Sequence, residues 1–365
     1  MMIFLMVGTL GATNVTNILE LWEIRDNLGD TYTLTKALSL EDTNPDTILV
    51  WSDSTDFVVE DIVKHPSDGF AYYCTSDHTS TSSFDSSKWT KMWECEKGWE
   101  PIGSESTPFH GNFDGGGFII SNLYINRGAT DPANNSTLPP DGQNYVGLFG
   151  YVSNGSNATN ANNSSDISIK NLGLTGVDIT GKRGTGALIG KVLLPDVKKG
   201  KLVITENCYA TGNVSGFGAT GGLVGANNSN VKQAVPIIRY CYADVEVSST
   251  HPNNTTINPN DPEESNGINP YNIKYGGLVG CNENGVTQDS YALGDVSGGD
   301  RVGGLTGCTI GGAIFRSYAT GSVTQGIGSS AWEGGYGPIT GRSDGTLPGV
   351  WVEPTLQDLL KIVII

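Results

Sequence analysis

A short glycine-bounded block recurs through the second half of the chain, and its recurrence constrains the fold more than any other feature. It reads Gly-Leu-Phe-Gly at 147–150, Gly-Ala-Leu-Ile-Gly at 186–190, Gly-Gly-Leu-Val-Gly at 221–225 and 276–280, and Gly-Gly-Leu-Thr-Gly at 303–307. A worn copy, Gly-Pro-Ile-Thr-Gly, stands at 337–341. A second block follows each later copy: Asn-Cys-Tyr-Ala-Thr-Gly-Asn-Val at 207–214, Tyr-Cys-Tyr-Ala-Asp-Val-Glu-Val at 240–247, Asp-Ser-Tyr-Ala-Leu-Gly-Asp-Val at 289–296 and Arg-Ser-Tyr-Ala-Thr-Gly-Ser-Val at 316–323. Self-similarity of this kind marks repeat architectures, in which one unit cannot bury its apolar face and must stack on its neighbours.

The tightest step, from Gly276 to Gly303, is 27 residues and holds three short apolar stretches divided by Gly, Asn and Asp turns. Three strands of about five residues plus three turns consume that length. Each repeat therefore reads as one three-sided coil, stacked on the next at about 4.8 Å. The expected fold is all-β, a parallel β-helix (solenoid). Longer steps mark loops thrown out of the stack: Ser248–Lys274 with Pro252, Pro259, Pro262 and Pro270, a second between Gly128 and Asn144, and a third between Ser153 and Asp166.

Fifty glycines and a low charged fraction of 16% would otherwise suit a disordered chain. The fixed places of the aliphatic residues argue for order instead. A net charge of −17 opposes a phosphate backbone, so no nucleic-acid partner is expected. No run approaches the roughly 18 apolar residues of a membrane span. Met1–Val7 is apolar but short, without a basic stretch before it, and is expected to be retained rather than cleaved as a signal peptide near Ala12. Eleven Asn-x-Ser/Thr sequons read as polar turns, and as sugar acceptors if the protein is exported in a glycosylating organism.

The motifs at 99–103 (Trp-Glu-Pro-Ile-Gly), 109–115 (Phe-His-Gly-Asn-Phe-Asp-Gly) and 119–125 (Ile-Ile-Ser-Asn-Leu-Tyr-Ile), together with the repeats to about residue 325, resemble the GLUG-motif family of bacterial and archaeal surface proteins. The leader Ile18–Leu40 resembles that family's opening of a short helix and a strand. The resemblance implies a right-handed β-helix of adhesin-like, cell-surface proteins and no catalytic activity. The leader also makes physical sense. Leu19, Leu21, Trp22, Ile24 and Leu28 favour one helix face, with Thr16 or Asn17 as N-cap, and such a helix can cover the exposed edge of a first coil.

The chain divides into an N-terminal strand and helix cap at 1–40, an aromatic-rich small β insertion at 41–98, β-helix repeats at 99–345 and a C-terminal capping or assembly segment at 346–365. Within the last, Leu356–Ile365 reads as a second cap. Met1–Val7 and Ile362–Ile365 either dock on their own chain or mediate self-assembly.

Three of the seven tryptophans, Trp51, Trp89 and Trp93, fall in the insertion. Their order with Phe57, 61–63, 70–74, 78–80, Phe84 and Lys88 resembles small three-stranded carbohydrate-binding modules of the chitin-binding type. Aromatic faces stack on sugar rings while polar neighbours bond the hydroxyls, which makes Trp51, Tyr72, Tyr73, His78, Trp89 and Trp93 the candidate glycan-binding residues. The competing reading is core, because a unit of about fifty residues has few other means of making one.

Six cysteines pair suggestively: Cys74 with Cys95 at the end of the insertion, Cys208 with Cys241 before Tyr-Ala in successive repeats, and Cys281 with Cys308 one repeat apart. The first pair is favoured as a disulfide, and stacked free thiols are the alternative for the other two. No Cys-x-x-Cys or Cys/His spacing suggests zinc, and no cofactor is expected.

No nucleophile or metalloprotease motif is present. Gly216-Phe-Gly-Ala-Thr-Gly221 fits a dinucleotide fingerprint but runs into a repeat strand rather than a helix. Asp114, Asp178 and Arg183 could be imagined as a catalytic group, yet Asp114 reads better as a turn residue. The expected function is a non-catalytic adhesin or receptor-binding protein, extracellular, on a cell or virion surface, with a surface polysaccharide or glycoprotein as partner. A structural subunit of a fibre, sheath or virion is the alternative, and a polysaccharide-degrading β-helix enzyme the third reading.

Overall fold

The computed structural model describes residues 11–127, 144–154, 166–194, 202–230, 235–250, 273–299, 301–325, 335–343 and 351–352. Both apolar ends, the C-terminal cap and most of the three expected loops lie outside the described residues.

Among the described residues the chain is all-β apart from one short α-helix and a few 3-10 turns, and its long sheets are parallel. One sheet runs through Thr13–Val15, Thr31–Leu34, Asn112–Asp114, Ile167–Lys170, Val203–Glu206, Pro236–Arg239, Val286–Gln288 and Ala313–Phe315. A second takes Leu38–Ser39, Ile119–Ser121, Gly173–Thr180, Tyr209–Gly216, Tyr242–Ser249, Tyr291–Ala292, Tyr318–Ala319 and Trp351–Val352. A third takes Phe149–Val152, Ile189–Leu194, Val224–Ser229, Val279–Glu283, Thr306–Ile310 and Thr340–Ser343. Each strand thus pairs with its equivalent one repeat away, a β-helix-like arrangement.

The expected three-sided coil is corrected in one respect. A fourth parallel sheet, Ala219–Gly221, Lys274–Gly276, Arg301–Gly303 and Gly335–Gly337, leads into each later Gly-Gly bend. Several strands of the tight repeat are two or three residues long rather than about five.

The pairing places like on like. Tyr209, Tyr242, Tyr291 and Tyr318 are in register, and their rings stack at 4.8, 5.0 and 4.9 Å with interplanar angles of 1°, 1° and 5°. One residue on, Ala210, Ala243, Ala292 and Ala319 form a buried ladder, because alternate strand residues face opposite sides. Leu223, Leu278 and Leu305 of the Gly-Gly-Leu block are fully buried in the same core. The corner before each Tyr-Ala strand, and before their neighbour Gly173–Thr180, needs a left-handed residue: Asn171, Asn207, Tyr240, Asp289 and Arg316 all have φ between 44° and 56°. Asn and Asp tolerate that conformation, whereas Tyr240 and Arg316 adopt it at a steric cost.

The leader forms an α-helix at Ile18–Glu23. Asn17 is its N-cap, accepting from the Glu20 N–H at 2.8 Å, while the Glu20 carboxylate accepts from the Thr16 N–H at 2.6 Å. The helix lies between the first two strands of the first sheet, buries Leu21 and packs Ile18, Leu19 and Trp22 on the core. Leu28 lies past its end, beyond a 3-10 turn at Ile24–Asp26, and also packs on that core.

The insertion is visible in the register. Thr31–Leu34 and Asn112–Asp114 are sheet neighbours, although the whole aromatic stretch lies between them in sequence. That stretch folds into a sheet of its own, ordered Leu49–Val50, Ile62–Lys64, Phe70–Cys74 and Trp89–Glu94, with a small pair Asp56–Phe57 and His78–Thr79.

Candidate functional site

The strand Phe70–Cys74 sits between Ile62–Lys64 and Trp89–Glu94, so its alternate side chains face two different layers. Tyr73 points into the main core and is 3% exposed, with Met92 and Trp93 in the same cluster. Tyr72 points the other way and stays half-buried at the module's outer face.

This alternation separates the candidate glycan-binding residues. Trp93, at 1% exposure, packs against Trp22 and Trp99 and joins the insertion to the β-helix. Trp89 is buried against Phe57 and Phe84. A stacking platform must offer a ring face, so Tyr73, Trp89 and Trp93 are removed from the candidate set and belong to the core. His78 is half-buried and wedged between Phe57 and Trp89, with its Nδ1 held 2.8 Å from the Ser76 carbonyl.

Trp51 and Tyr72 remain, and two residues that the sequence reading did not weigh join them. Phe84 lies edge-on to Trp51 at 5.7 Å and to Tyr72 at 4.9 Å, and His65 packs on Phe84 at 4.5 Å. All four are half-buried, so each keeps part of its surface in solvent. Polar groups frame them. The Tyr72 hydroxyl donates to Asp68 at 2.7 Å, and the Lys91 ammonium reaches Asp68 at 3.2 Å while sitting 3.6 Å over the Phe70 ring. Burial and the bond to Asp68 raise the Tyr72 phenol to about 12, so it is neutral and a donor at ordinary pH. Burial opposes ionisation of Asp68, but the Tyr72, Phe70 N–H and Lys91 donors outweigh it and hold the carboxyl below its usual range. Leu49, Val50, Val58 and Val59 are exposed apolar residues on the same module, with Leu49–Val50 as its edge strand.

The cysteine pairs are also resolved. Cys74 is in register with Trp89, whereas the Cys95 N–H bonds the Gly69 carbonyl at the other end of the same strand. The two thiols lie in separate clusters, and the favoured Cys74–Cys95 bridge is corrected to two buried free thiols. The two cysteines flank the end of the insertion in sequence, but the strand Phe70–Cys74 separates them to its opposite ends. The other four are buried free thiols as well. Cys208 stacks on Cys241, and Cys281 on Cys308 with sulfurs 3.5 Å apart. Burial pushes the Cys74 and Cys208 thiols up, and Cys95 to about 11.

The imagined catalytic group does not assemble. Asp114 accepts from the Gly116 N–H at 2.9 Å as a turn residue and also bonds Asn171 and Lys170, while Asp178 belongs to the second sheet beside Tyr124. Among the described residues no cluster of three His, Cys, Asp or Glu side chains could hold a metal, and no helix is long and apolar enough to cross a membrane.

No family model matches the chain. Two curated proteins are similar over parts of it. Halomucin of Haloquadratum walsbyi is 28% identical over 145 residues, 38% of this chain and 1% of that protein. A "Putative Gly-rich membrane protein" of Evansella cellulosilytica is 38% identical over 93 residues, 26% of this chain and 8% of that protein. The chain therefore spans a small fraction of either relative. A solved structure of a "putative immunoglobulin A1 protease" from Bacteroides ovatus aligns over 93% of this chain and 67% of its own, at 15% identity and a TM-score of 0.42.

Proposed function

We propose that this chain is a non-catalytic, surface-exposed adhesin or receptor-binding protein that binds glycan through the outer face of its inserted module. On this reading the coils wind as a right-handed parallel β-helix, the hand preferred for connections between parallel strands. The solenoid is the stalk and the insertion the reader. A protein named as a membrane protein among the partial relatives suits a place at a cell or virion surface.

The observation that carries the proposal is the half-exposed cluster of Trp51, Tyr72, Phe84 and His65, framed by Asp68 and Lys91. Aromatic surface beside charged hydrogen-bonding groups is what a sugar ring requires, and burying it in a partner offsets the cost of leaving it wet. The test is a glycan array with the full chain, Trp51→Ala and Tyr72→Ala, folding being checked by circular dichroism. The expected result is binding by the parent and a loss of about thirtyfold, or ~2 kcal/mol, in each folded variant. A parent that binds no glycan would move the fibre-subunit reading to first place.

A further inference from the structure

Outside the module, the outer faces of the third and fourth sheets meet at the Gly-Gly bends and leave a notch. Its origin lies in the register. Lys191, Ala226, Cys281 and Cys308 stack in successive coils on one wall, and Ala219, Lys274 and Arg301 on the other. In the coil that carries Ala219 and Ala226, with Gly218 beside them, both walls are small. The coils on either side carry long or reactive side chains. The resulting partly open cavity has a volume of about 190 Å³, room for roughly six waters at liquid density.

Three cationic side chains, Arg183, Lys191 and Lys274, line it with one carboxylate, Glu283, in a chain whose net charge is −17. Cys281 lines it too. Lys274 is buried, 6% exposed, and its ammonium lies 3.2 Å from the Cys281 sulfur; the Cys308 sulfur lies 3.5 Å from the Cys281 sulfur, on the far side from the small coil.

We propose that this notch is a reactive-thiol site, with Cys281 as nucleophile and Cys308 as resolving thiol, open to small hydroperoxides and other neutral or anionic electrophiles. The Cys281 thiolate attacks one peroxide oxygen and the O–O bond breaks. Sulfur is oxidised by two electrons to the sulfenic acid, and the departing alkoxide or hydroxide takes a proton for which Lys274 is the nearest ammonium donor. Cys308 then displaces the sulfenic hydroxyl as water, its own proton leaving with it, and a disulfide joins the two coils. In-register neighbours in a parallel sheet stand about 4.8 Å apart, within the Cα range that disulfides accept. The reaction is stoichiometric, one peroxide per chain, and its reversal needs an added dithiol.

The electrostatics agree. A hydrogen bond from the Cys308 S–H, with Lys274 acting beside it, outweighs burial and the opposing Glu283 and lowers Cys281 to about 6. Burial works against the Lys274 charge, but the two sulfurs outweigh it and shift that ammonium upward. Cys308 is pushed up by its bond to Cys281 and by burial, so it stays protonated as a resolving thiol should. A more acidic thiolate is also less nucleophilic. The gain over an ordinary thiol at pH 7 is therefore about threefold, and the shape of the pH profile is the stronger signature.

The reduced full chain would be treated with one equivalent of hydrogen peroxide and mapped by peptide mass spectrometry. The expected product is a Cys281–Cys308 disulfide, with Cys74, Cys95, Cys208 and Cys241 unmodified. Cys308→Ser should trap a dimedone adduct on Cys281, and Cys281→Ser should leave Cys308 reduced. Iodoacetamide labelling of Cys281 should level off above about pH 7, and an anionic methanethiosulfonate should outpace its trimethylammonium counterpart. Lys274→Met should move the labelling midpoint up by about one unit or more, with Lys274→Arg holding it. Oxidation spread over all six thiols, Cys308 oxidising without Cys281, or labelling that still climbs between pH 8 and 9 would each overturn the assignment. The wild-type profile decides the matter even if Lys274→Met does not fold.

Discussion

Trp99→Ala is expected to cost about 3–5 kcal/mol and to loosen three parts of the molecule together. Trp99 is fully buried and meets Trp22 of the leader helix edge-on at 5.6 Å and Trp93 of the insertion at 5.7 Å. Arg25 lies 3.8 Å over the Trp22 ring and 4.6 Å over Trp99, and donates to the carbonyls of Trp22 and Glu100. The Trp99 backbone N–H bonds the Tyr124 carbonyl at 3.0 Å, and its indole N–H reaches the Leu148 carbonyl at 3.4 Å. Truncation removes the ring shared by helix, module and first coils, while the Leu148 carbonyl keeps the Ile102 N–H at 2.9 Å, so the cost is one of lost packing. Stacked repeats need not unfold in one step, so a single melting temperature is a poor readout. Amide exchange is the better one. Protection should fall across 11–125 while the coils beyond Val203 keep theirs. A cost under about 1 kcal/mol would mean that the three parts hold independently.

That junction also shows where sequence reading stops. The repeats were legible because period and register are the same fact in a stacked β-fold: Tyr209, Tyr242, Tyr291 and Tyr318 align in the chain and stack in space. The fourth sheet was not. Ala219-Thr-Gly, Lys274-Tyr-Gly and Arg301-Val-Gly share little beyond the glycine that opens the bend, and three-residue strands carry no usable alternation. In the insertion both faces of Phe70–Cys74 are aromatic, so pattern could not say that Tyr73 is core and Tyr72 surface. His65 follows no motif, and the module-like order that includes Phe84 does not say which face it joins; the place of both depends on how loops return over the sheet. The notch had a signal that went unread. Lys274 and Arg301 stand 27 residues apart, as do Cys281 and Cys308, so a basic ladder had to lie beside a thiol ladder.

Gly276→Ala tests whether the Gly-Gly bend is a steric requirement or a conformational one. Gly276 has no left-handed φ, so an alanine there is not opposed by backbone preference. Space opposes it. A Cβ would lie 2.1 Å from the Val279 carbonyl oxygen and 2.6 Å from the Gly307 nitrogen, both backbone atoms that cannot rotate away. Gly221 and Gly303 meet the same two neighbours one coil to either side, at 2.2 and 2.5 Å and at 2.0 and 2.7 Å. The expected cost is about 3 kcal/mol, at the upper end for overpacking, because relief requires the next coil to shift. Gly117 is the control: it has φ +79° and nothing within 4 Å of a Cβ, so Gly117→Ala should cost about 1 kcal/mol through conformation alone. Exchange protection should fall between 274 and 310 in Gly276→Ala and hold in the strands Ile167–Lys170 and Gly173–Thr180, since each coil contacts chiefly its neighbours. A cost at Gly276 no larger than that at Gly117 would mean that the neighbouring coil shifts to accept a Cβ and that close approach does not demand glycine at the bend. A larger cost at Gly276 would identify the bend as the place where consecutive coils set their spacing, which also sets the 3.5 Å separation of the Cys281 and Cys308 sulfurs.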